Sequence, residues 1–149
     1  MTASDTAFVQ HRLQELEAAG WHPRRSQGPF TQIVGPIWAR EETDGRSSYG
    51  LLIEERHTNS AGIAHGGMLM TIADHVLGWM VWDAVRPKRC VTISLNNQFI
   101  GAAKPGDFVA MRAQIVRQTR SLVFVEGRAH CEERVILSSE GIWKILGEG

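Results

Sequence analysis

The stretch AHGGMLMTIADHVLGWMVWDAV, residues 64–85, decides how the rest of the chain is read. Its apolar side chains, from Met68 and Leu69 through Val76 and Leu77 to Val81 and Trp82, point in nearly every direction around a helix from about His65 to Val85. A helix that is apolar all round is buried all round, so a sheet must curl about it. Asp74 breaks the pattern. An ionised carboxylate among apolar neighbours is costly unless it is paired or hydrogen-bonded. That setting makes Asp74 a candidate for chemistry.

The start of the helix carries a second signal. His65-Gly66-Gly67 places two residues without Cβ where backbone N–H groups have no helical partner. Glycine lets a substrate oxygen approach those donors closely, and the helix dipole points its positive end the same way. The combination suits a developing oxyanion. Gly66 and Asp74 are separated by roughly 12 Å along one helix, at about 1.5 Å per residue. One carbonyl cannot touch both at about 3 Å. If both serve one reaction they come from different chains, in a twofold dimer with two shared sites.

Working outward, the other elements sort by period. Phe8, Val9, Leu13 and Leu16 give an amphipathic helix over Asp5–Ala19, which Gly20 stops. Trp21–Phe30 contains Pro23 and Pro29 and reads as a loop. Thr31–Glu41 reads as a strand bent at Gly35-Pro36, and Ser48–Arg56 as a second strand, joined through Asp44-Gly45-Arg46. After the central helix, Val91–Ile100, Asp107–Gln118, Leu122–Cys131 and Val135–Leu146 read as strands in short antiparallel connection. In the first of these, Val91, Ile93, Leu95, Asn97 and Phe99 fall on one side. The expected fold is α+β: an antiparallel sheet wrapped around one long central helix, with an extra N-terminal helix. Residues 1–30 form the N-terminal extension and 31–149 a single domain.

Composition excludes several classes. A chain of 149 residues suits one domain with a real core. Sixteen Lys and Arg balance sixteen Asp and Glu, so no basic excess argues for broad nucleic-acid binding. No stretch reaches the roughly 18 uncharged apolar residues of a membrane span. The beginning, MTASDTAFVQHRLQELE, lacks the pattern of a signal peptide, and the expected location is cytoplasmic. Cys90 and Cys131 lie far apart, which suits reduced packing thiols better than a disulfide framework or a CxxC zinc site. His57, His65 and Asp74 match no zinc spacing, so no metal is expected. No GxSxG marks a serine hydrolase.

His57-Thr58-Asn59, Ala64-His65-Gly66-Gly67 and Ala73-Asp74, in this order and spacing, resemble the hotdog-fold acyl-CoA thioesterases of the phenylacetate-degradation (PaaI-like) and human thioesterase superfamily member 2 kind. The similarity continues through Val91–Asn96, Ala103–Asp107 and Leu122–Gly127, covering about Ser48 to Leu146. The resemblance implies a hotdog fold, homodimers that often pair into homotetramers, and hydrolysis of an acyl-CoA thioester without a metal or cofactor, coenzyme A being part of the substrate. It implies that Asp74 activates water or attacks the acyl carbon itself. The Gly66 N–H would hold the thioester oxygen, Asn59 would polarise that carbonyl or fix its neighbourhood, and His65 would orient the turn. Thr92 stands where relatives carry a hydroxyl that positions water. Gly67 and the basic residues Lys104 and Arg120 are the candidate substrate contacts. Two other functions share parts of this pattern: a non-catalytic acyl-CoA-binding hotdog module, and another hotdog acyl-thioester enzyme such as a hydratase.

Overall fold

The computed structural model describes residues 3–25 and 28–147. Helix α1 (Ala3–Ala18) is followed by the short strand β1 (His22–Pro23), helix α2 (Pro29–Val34), strands β2 (Trp38–Glu41) and β3 (Ser47–Leu52), and a 3₁₀ turn at Glu55–His57. The long helix α3 (Gly66–Val85) comes next, then strands β4 (Cys90–Phe99), β5 (Phe108–Gln118), β6 (Leu122–Cys131) and β7 (Arg134–Ile145). The seven strands form one antiparallel sheet in the order β1-β2-β3-β5-β6-β7-β4. The expected α+β hotdog layout is what the chain adopts.

Helix α3 starts and stops for local reasons. His65, in extended conformation, caps it by accepting the Gly67 N–H on its ring. At the other end Arg86 precedes Pro87, and the proline ring disfavours helical geometry in the residue before it. Arg86 accordingly sits at φ −50°, ψ 141°. Met68, Leu69, Ile72, Ala73, Val76, Leu77, Val81 and Val85 are buried against Leu51, Val109, Met111, Val123, Val125, Leu137 and Trp143 of the sheet. Helix α1 covers the opposite side of the sheet near its β2–β3 end. There Leu16 and Trp21 pack with Trp38 and Phe108, the last two rings of the set contributed by β2 and β5.

Four expectations need correction. Thr31–Glu41 is not one strand: α2 occupies Pro29–Val34 and β2 begins at Trp38. Pro29 fits the first turn of a helix, where its missing N–H costs nothing, and the Gly35 N–H closes the helix on the Thr31 carbonyl at 2.7 Å. Strand β3 ends at Leu52 rather than Arg56, because Glu54 and His57 cap the 3₁₀ turn reciprocally. Strand β4 does not alternate evenly: a bulge falls between Thr92 and Ser94. Finally, α3 is not buried all round. Gly67, Met70 and Trp82 are exposed and Thr71, Asp74 and Gly78 half-buried, which leaves an open stripe along one side of the helix.

Trp143, 1% exposed, anchors the sheet to the helix through a slot made by two glycines. A Cβ on Gly141 would lie 2.5 Å from its Cζ3 and 2.8 Å from the Ser94 carbonyl oxygen. A Cβ on Gly78 would meet Nε1 at 3.5 Å, an ordinary contact. Gly141→Ala is therefore expected to lower stability by about 1–3 kcal/mol through overpacking. A urea midpoint equal to that of the wild type would show that the slot has slack.

Candidate active site

The bulge in β4 sets the first half of the site. Thr92 pairs with Trp143 of β7, and Leu95, Asn97 and Phe99 pair with Gly141, Ser139 and Leu137, all buried positions of that strand. One extra residue at Ile93 lets both Thr92 and the Leu95–Phe99 set face the helix, which strict alternation forbids. The Thr92 hydroxyl then donates to Asp74 Oδ1 at 2.8 Å. The carboxylate on the open stripe of α3 has its hydrogen bond through Oδ1, and among the described residues none engages Oδ2.

A cavity of about 420 Å³ opens beside this pair. Asp74 and Thr92 stand on its wall together with Trp79, Trp82, Trp143 and Cys90. Burial pushes the Cys90 thiol up from its ordinary value, which keeps it protonated and unreactive. His75 lines the same cavity but is occupied. Its Nδ1 donates to the Thr71 carbonyl at 2.8 Å, so Nε2 accepts from the Thr31 hydroxyl at 2.7 Å. Arg24 lays its guanidinium 3.9 Å above the Trp79 ring, on the cavity's border.

The second half of the site forms at the start of α3. His65 Nδ1 takes the Gly67 N–H at 2.9 Å, so the expectation that both glycines offer donors narrows to Gly66. Among the described residues no hydrogen bond engages the Gly66 N–H. Phe99 lies against it: a Cβ on Gly66 would meet that ring at 3.3 Å. Asn59 holds the preceding loop closed. Its Oδ1 accepts from the Ala61 N–H at 2.9 Å and its own N–H bonds the Ile63 carbonyl at 2.8 Å. The carboxamide NH₂ of Asn59 remains as a donor.

The predicted residues thus fall into two groups, Asp74 with Thr92 and Gly66 with His65, Gly67 and Asn59, spaced roughly 12 Å apart along α3. Lys104 is exposed in the turn next to the second group, where the Ala103 carbonyl accepts the Ala64 N–H at 2.8 Å. Arg120 lies in the β5–β6 turn, at the far end of β5 from Lys104, so one protomer does not bring these two together. His57, His65 and Asp74 do not gather either. Sequence reasoning missed Arg24, Phe99 and Trp143. Only tertiary pairing brings them here, although the bare Gly78 and Gly141 that seat Trp143 are visible in the sequence.

With this geometry in hand, comparison with known proteins places the chain. The description "thioesterase superfamily" matches residues 61–138. A Pseudomonas aeruginosa protein that carries an esterase name is 31% identical over 127 residues, which is 85% of this chain and 95% of that protein. Human acyl-coenzyme A thioesterase 13 is 24% identical over 120 residues, 80% of each chain. Among solved structures, a Bacillus halodurans protein crystallised with CoA shares the fold at a TM-score of 0.77, with 22% identity, covering 98% of this chain and 93% of its own. Zebrafish thioesterase superfamily member 2 aligns at a TM-score of 0.71 and 26% identity, over 83% of this chain and 89% of its own.

His57 supports the loop that carries the site. It is 4% exposed, accepts the Glu54 N–H on Nδ1 at 3.0 Å, and its carbonyl takes the His65 N–H at 2.8 Å. Burial, with help from the Arg56 charge and against that of Glu54, holds its pKa below the ordinary 6.5. The unfolded chain therefore binds a proton at this histidine before the folded chain does. Stability is expected to fall as pH drops below about 6.5, until the lowered folded value is passed. Chemical denaturation of wild type and His57→Gln across this range checks it; parallel pH curves would remove His57 as the cause.

Proposed function

The chain belongs to the thioesterase superfamily and is a thioester hydrolase, and from that premise we propose that it cleaves acyl-CoA thioesters with Asp74 as general base. The observation that carries this reading is the Thr92–Asp74 pair, 2.8 Å apart in the wall of a cavity that three tryptophans also line. A hydroxyl that donates to the carboxylate keeps its lone pairs for a water proton, so the two side chains can hold one water between them. Asp74 takes a proton from that water as its oxygen attacks the acyl carbon. The oxyanion that forms is held by the Gly66 N–H and the helix dipole, with the Asn59 NH₂ as a second donor. Collapse breaks the C–S bond, the thiolate of CoA leaves, and Asp74 returns the proton to it. The cavity lined by Trp79, Trp82 and Trp143 receives the acyl group, and exposed Lys104 meets negative charge on CoA. No metal or cofactor enters these steps.

Two protomers supply each site in this proposal. Strand β4 is a sheet edge ten residues long, with Val91, Ile93 and Phe99 each about half exposed. Such an edge is a template for another strand. Antiparallel pairing of β4 with β4 of a second copy, centred near Leu95, sets the Phe99 end of one strand against the Thr92 end of the other. Phe99 lies beside Gly66 and Thr92 beside Asp74. The pairing thus brings the two half-sites together across a twofold axis, which the separation along α3 forbids within one chain.

Thiol release from a panel of acyl-CoAs tests the activity, and Asp74→Asn is expected to lower kcat by about 10²–10⁴-fold. Gly66→Pro removes the backbone donor; its backbone geometry suits a first helical position after an extended His65, and the Phe99 ring must give by a few tenths of an ångström to admit its Cβ. The variant is expected to lower kcat by about 10²–10³-fold. A wild-type rate in Asp74→Asn would refute the base, whereas ¹⁸O appearing in Asp74 in a single turnover of wild type would make it a nucleophile.

Shared sites make a separate prediction. When the two inactive variants are unfolded and refolded together, half the dimers are mixed and each has one intact site of two. About a quarter of wild-type activity should return. No recovery, or a fully active monomer in sedimentation at assay concentration, would place each site within one chain. The same sedimentation reads whether two dimers join.

A further inference from the structure

Two backbone bonds hold the residues just ahead of Gly66. The His65 N–H donates to the His57 carbonyl, within the same loop, at 2.8 Å. The Ala64 N–H donates to the Ala103 carbonyl, outside that loop, at 2.8 Å. Gly66 follows directly with the open donor, so the aim of its N–H depends on where Ala103 sits. Ala103 is fully buried, and two side chains bracket it. On one side Arg134 Nη1 donates to the Ala102 carbonyl at 2.9 Å. On the other, Asp107 Oδ2 accepts the Lys104 N–H at 2.9 Å. The same oxygen accepts from Arg134 Nη2 at 3.2 Å, which joins the two clamps. The Asp107 N–H closes the turn on the Lys104 carbonyl at 2.9 Å, and Pro105 followed by Gly106 at φ 93° suits a type II turn. That turn is pinned just past β3, where the Gly106 N–H donates to the Ile53 carbonyl at 2.8 Å and the Ile53 N–H to the Asp107 carbonyl at 2.9 Å. The Asp107–Arg134 ion pair is too exposed to add much stability by itself. Its contribution is geometric, because each partner also holds a backbone group next to Ala103.

We propose that Asp107 and Arg134 are positioning residues for the oxyanion donor, acting through Ala103 and Ala64 on the Gly66 N–H. The inference rests on the acyl-CoA reading above, which makes that N–H the group that holds the oxyanion. Neither side chain touches the substrate in this reading. A donor stabilises developing charge only if it is aimed before the charge appears, and a misplacement of about 1 Å can cost about a hundredfold in rate. With residues 102–104 released, the Ala64 N–H loses its fixed acceptor, and the helix start is left to the bonds within its own loop. Substitutions at position 107 grade the effect. Asparagine keeps an acceptor for the Lys104 N–H and loses the charge that draws in Arg134, whereas alanine loses both.

Thiol release is measured for Asp107→Ala, Asp107→Asn and Arg134→Met, each alone and each combined with Gly66→Pro, which has no donor left to aim. Asp107→Ala is expected to lower kcat about tenfold, and the two milder variants about threefold. In the Gly66→Pro background the same substitutions should change kcat by less than about twofold, because residues that act through one group are not additive. A role through Lys104 on CoA, or a general loss of stability, predicts a raised KM or the same loss in both backgrounds. A loss that persists undiminished beside Gly66→Pro, or a wild-type kcat in Asp107→Ala, would overturn the proposal. Amide hydrogen exchange reads the clamp without turnover. In Asp107→Ala the Ala64 and His65 amides should exchange about tenfold faster, with the Val125 amide of β6 unchanged. Equal acceleration at all three, or none at any, would count against the clamp. If the exchange pattern is as expected and the wild type cleaves no acyl-CoA, hydrolysis fails and the clamp on α3 stands. If Asp74→Asn abolishes turnover while Asp107→Ala leaves it intact, the base stands and the positioning role fails.

Discussion

A carboxylate set in the middle of a twenty-residue apolar helix constrains everything around it. The helix has too much apolar surface to leave in water, and burying the side that bears Asp74 without a partner would be costly. The chain meets both demands by covering α3 on one side only. The sheet takes Ile72, Ala73, Val76, Leu77 and Val81 to full burial, and the stripe through Thr71, Asp74, Gly78 and Trp82 stays open. The hydroxyl that satisfies the carboxylate comes from the edge strand, and a β-bulge is what turns it inward. Without the extra residue at Ile93, Thr92 and Leu95 could not both face the helix. One irregularity in one strand therefore joins packing to chemistry.

The same economy shows at the other end of α3. His65 ends the non-helical loop, caps the helix, and by taking the Gly67 N–H leaves Gly66 as the open donor. The loop behind it is fastened three times: by Asn59 on its own turn, by His57 through its carbonyl, and by Ala64 to Ala103. A backbone donor aimed at developing charge is useful only if it does not move when the charge appears. On the proposed mechanism these fastenings would meet that requirement, and buried His57 supplies one of them through its carbonyl.

Much of this was legible in the sequence, and the misreadings have physical causes. Helix α3, its His65 cap, and the inward sets Val109-Met111-Ala113 and Val123-Val125-Gly127 follow from period and turn residues, because each is decided by its own neighbours. Asp74 was legible as an exception to a pattern. Helix α2 was not, since a six-residue helix between two prolines has almost no periodicity to display; its place is fixed by tertiary bonds, Thr31 to His75 and Arg56 to the Ile33 and Gly35 carbonyls. The bulge was invisible for a related reason. Ile93 reads as a strand residue on either face, and only the pairing with β7 shows that it belongs to neither ladder position. The open stripe of α3 escaped notice because it is lined by Met70, Gly78 and Trp82, residues that elsewhere mark a core.

That stripe and the β4 edge both adjoin the candidate site, and each exposes large apolar side chains: Met70 and Trp82 on the helix, Val91, Ile93 and Phe99 on the strand. Edge strands in stable monomers are usually short, charged or covered. β4 is none of these: it is long, it carries Val91, Ile93 and Phe99 in the open, and no charged residue lies within it. In the proposed dimer a second copy of the chain would cover the edge and complete the reaction centre in the same act, since the strand ends that meet would be those beside Gly66 and Asp74. Catalysis and solubility then place the same demand on β4. On that proposal, a substitution that weakened the pairing would expose an aggregation-prone strand and separate the proposed base from its proposed oxyanion donor at once.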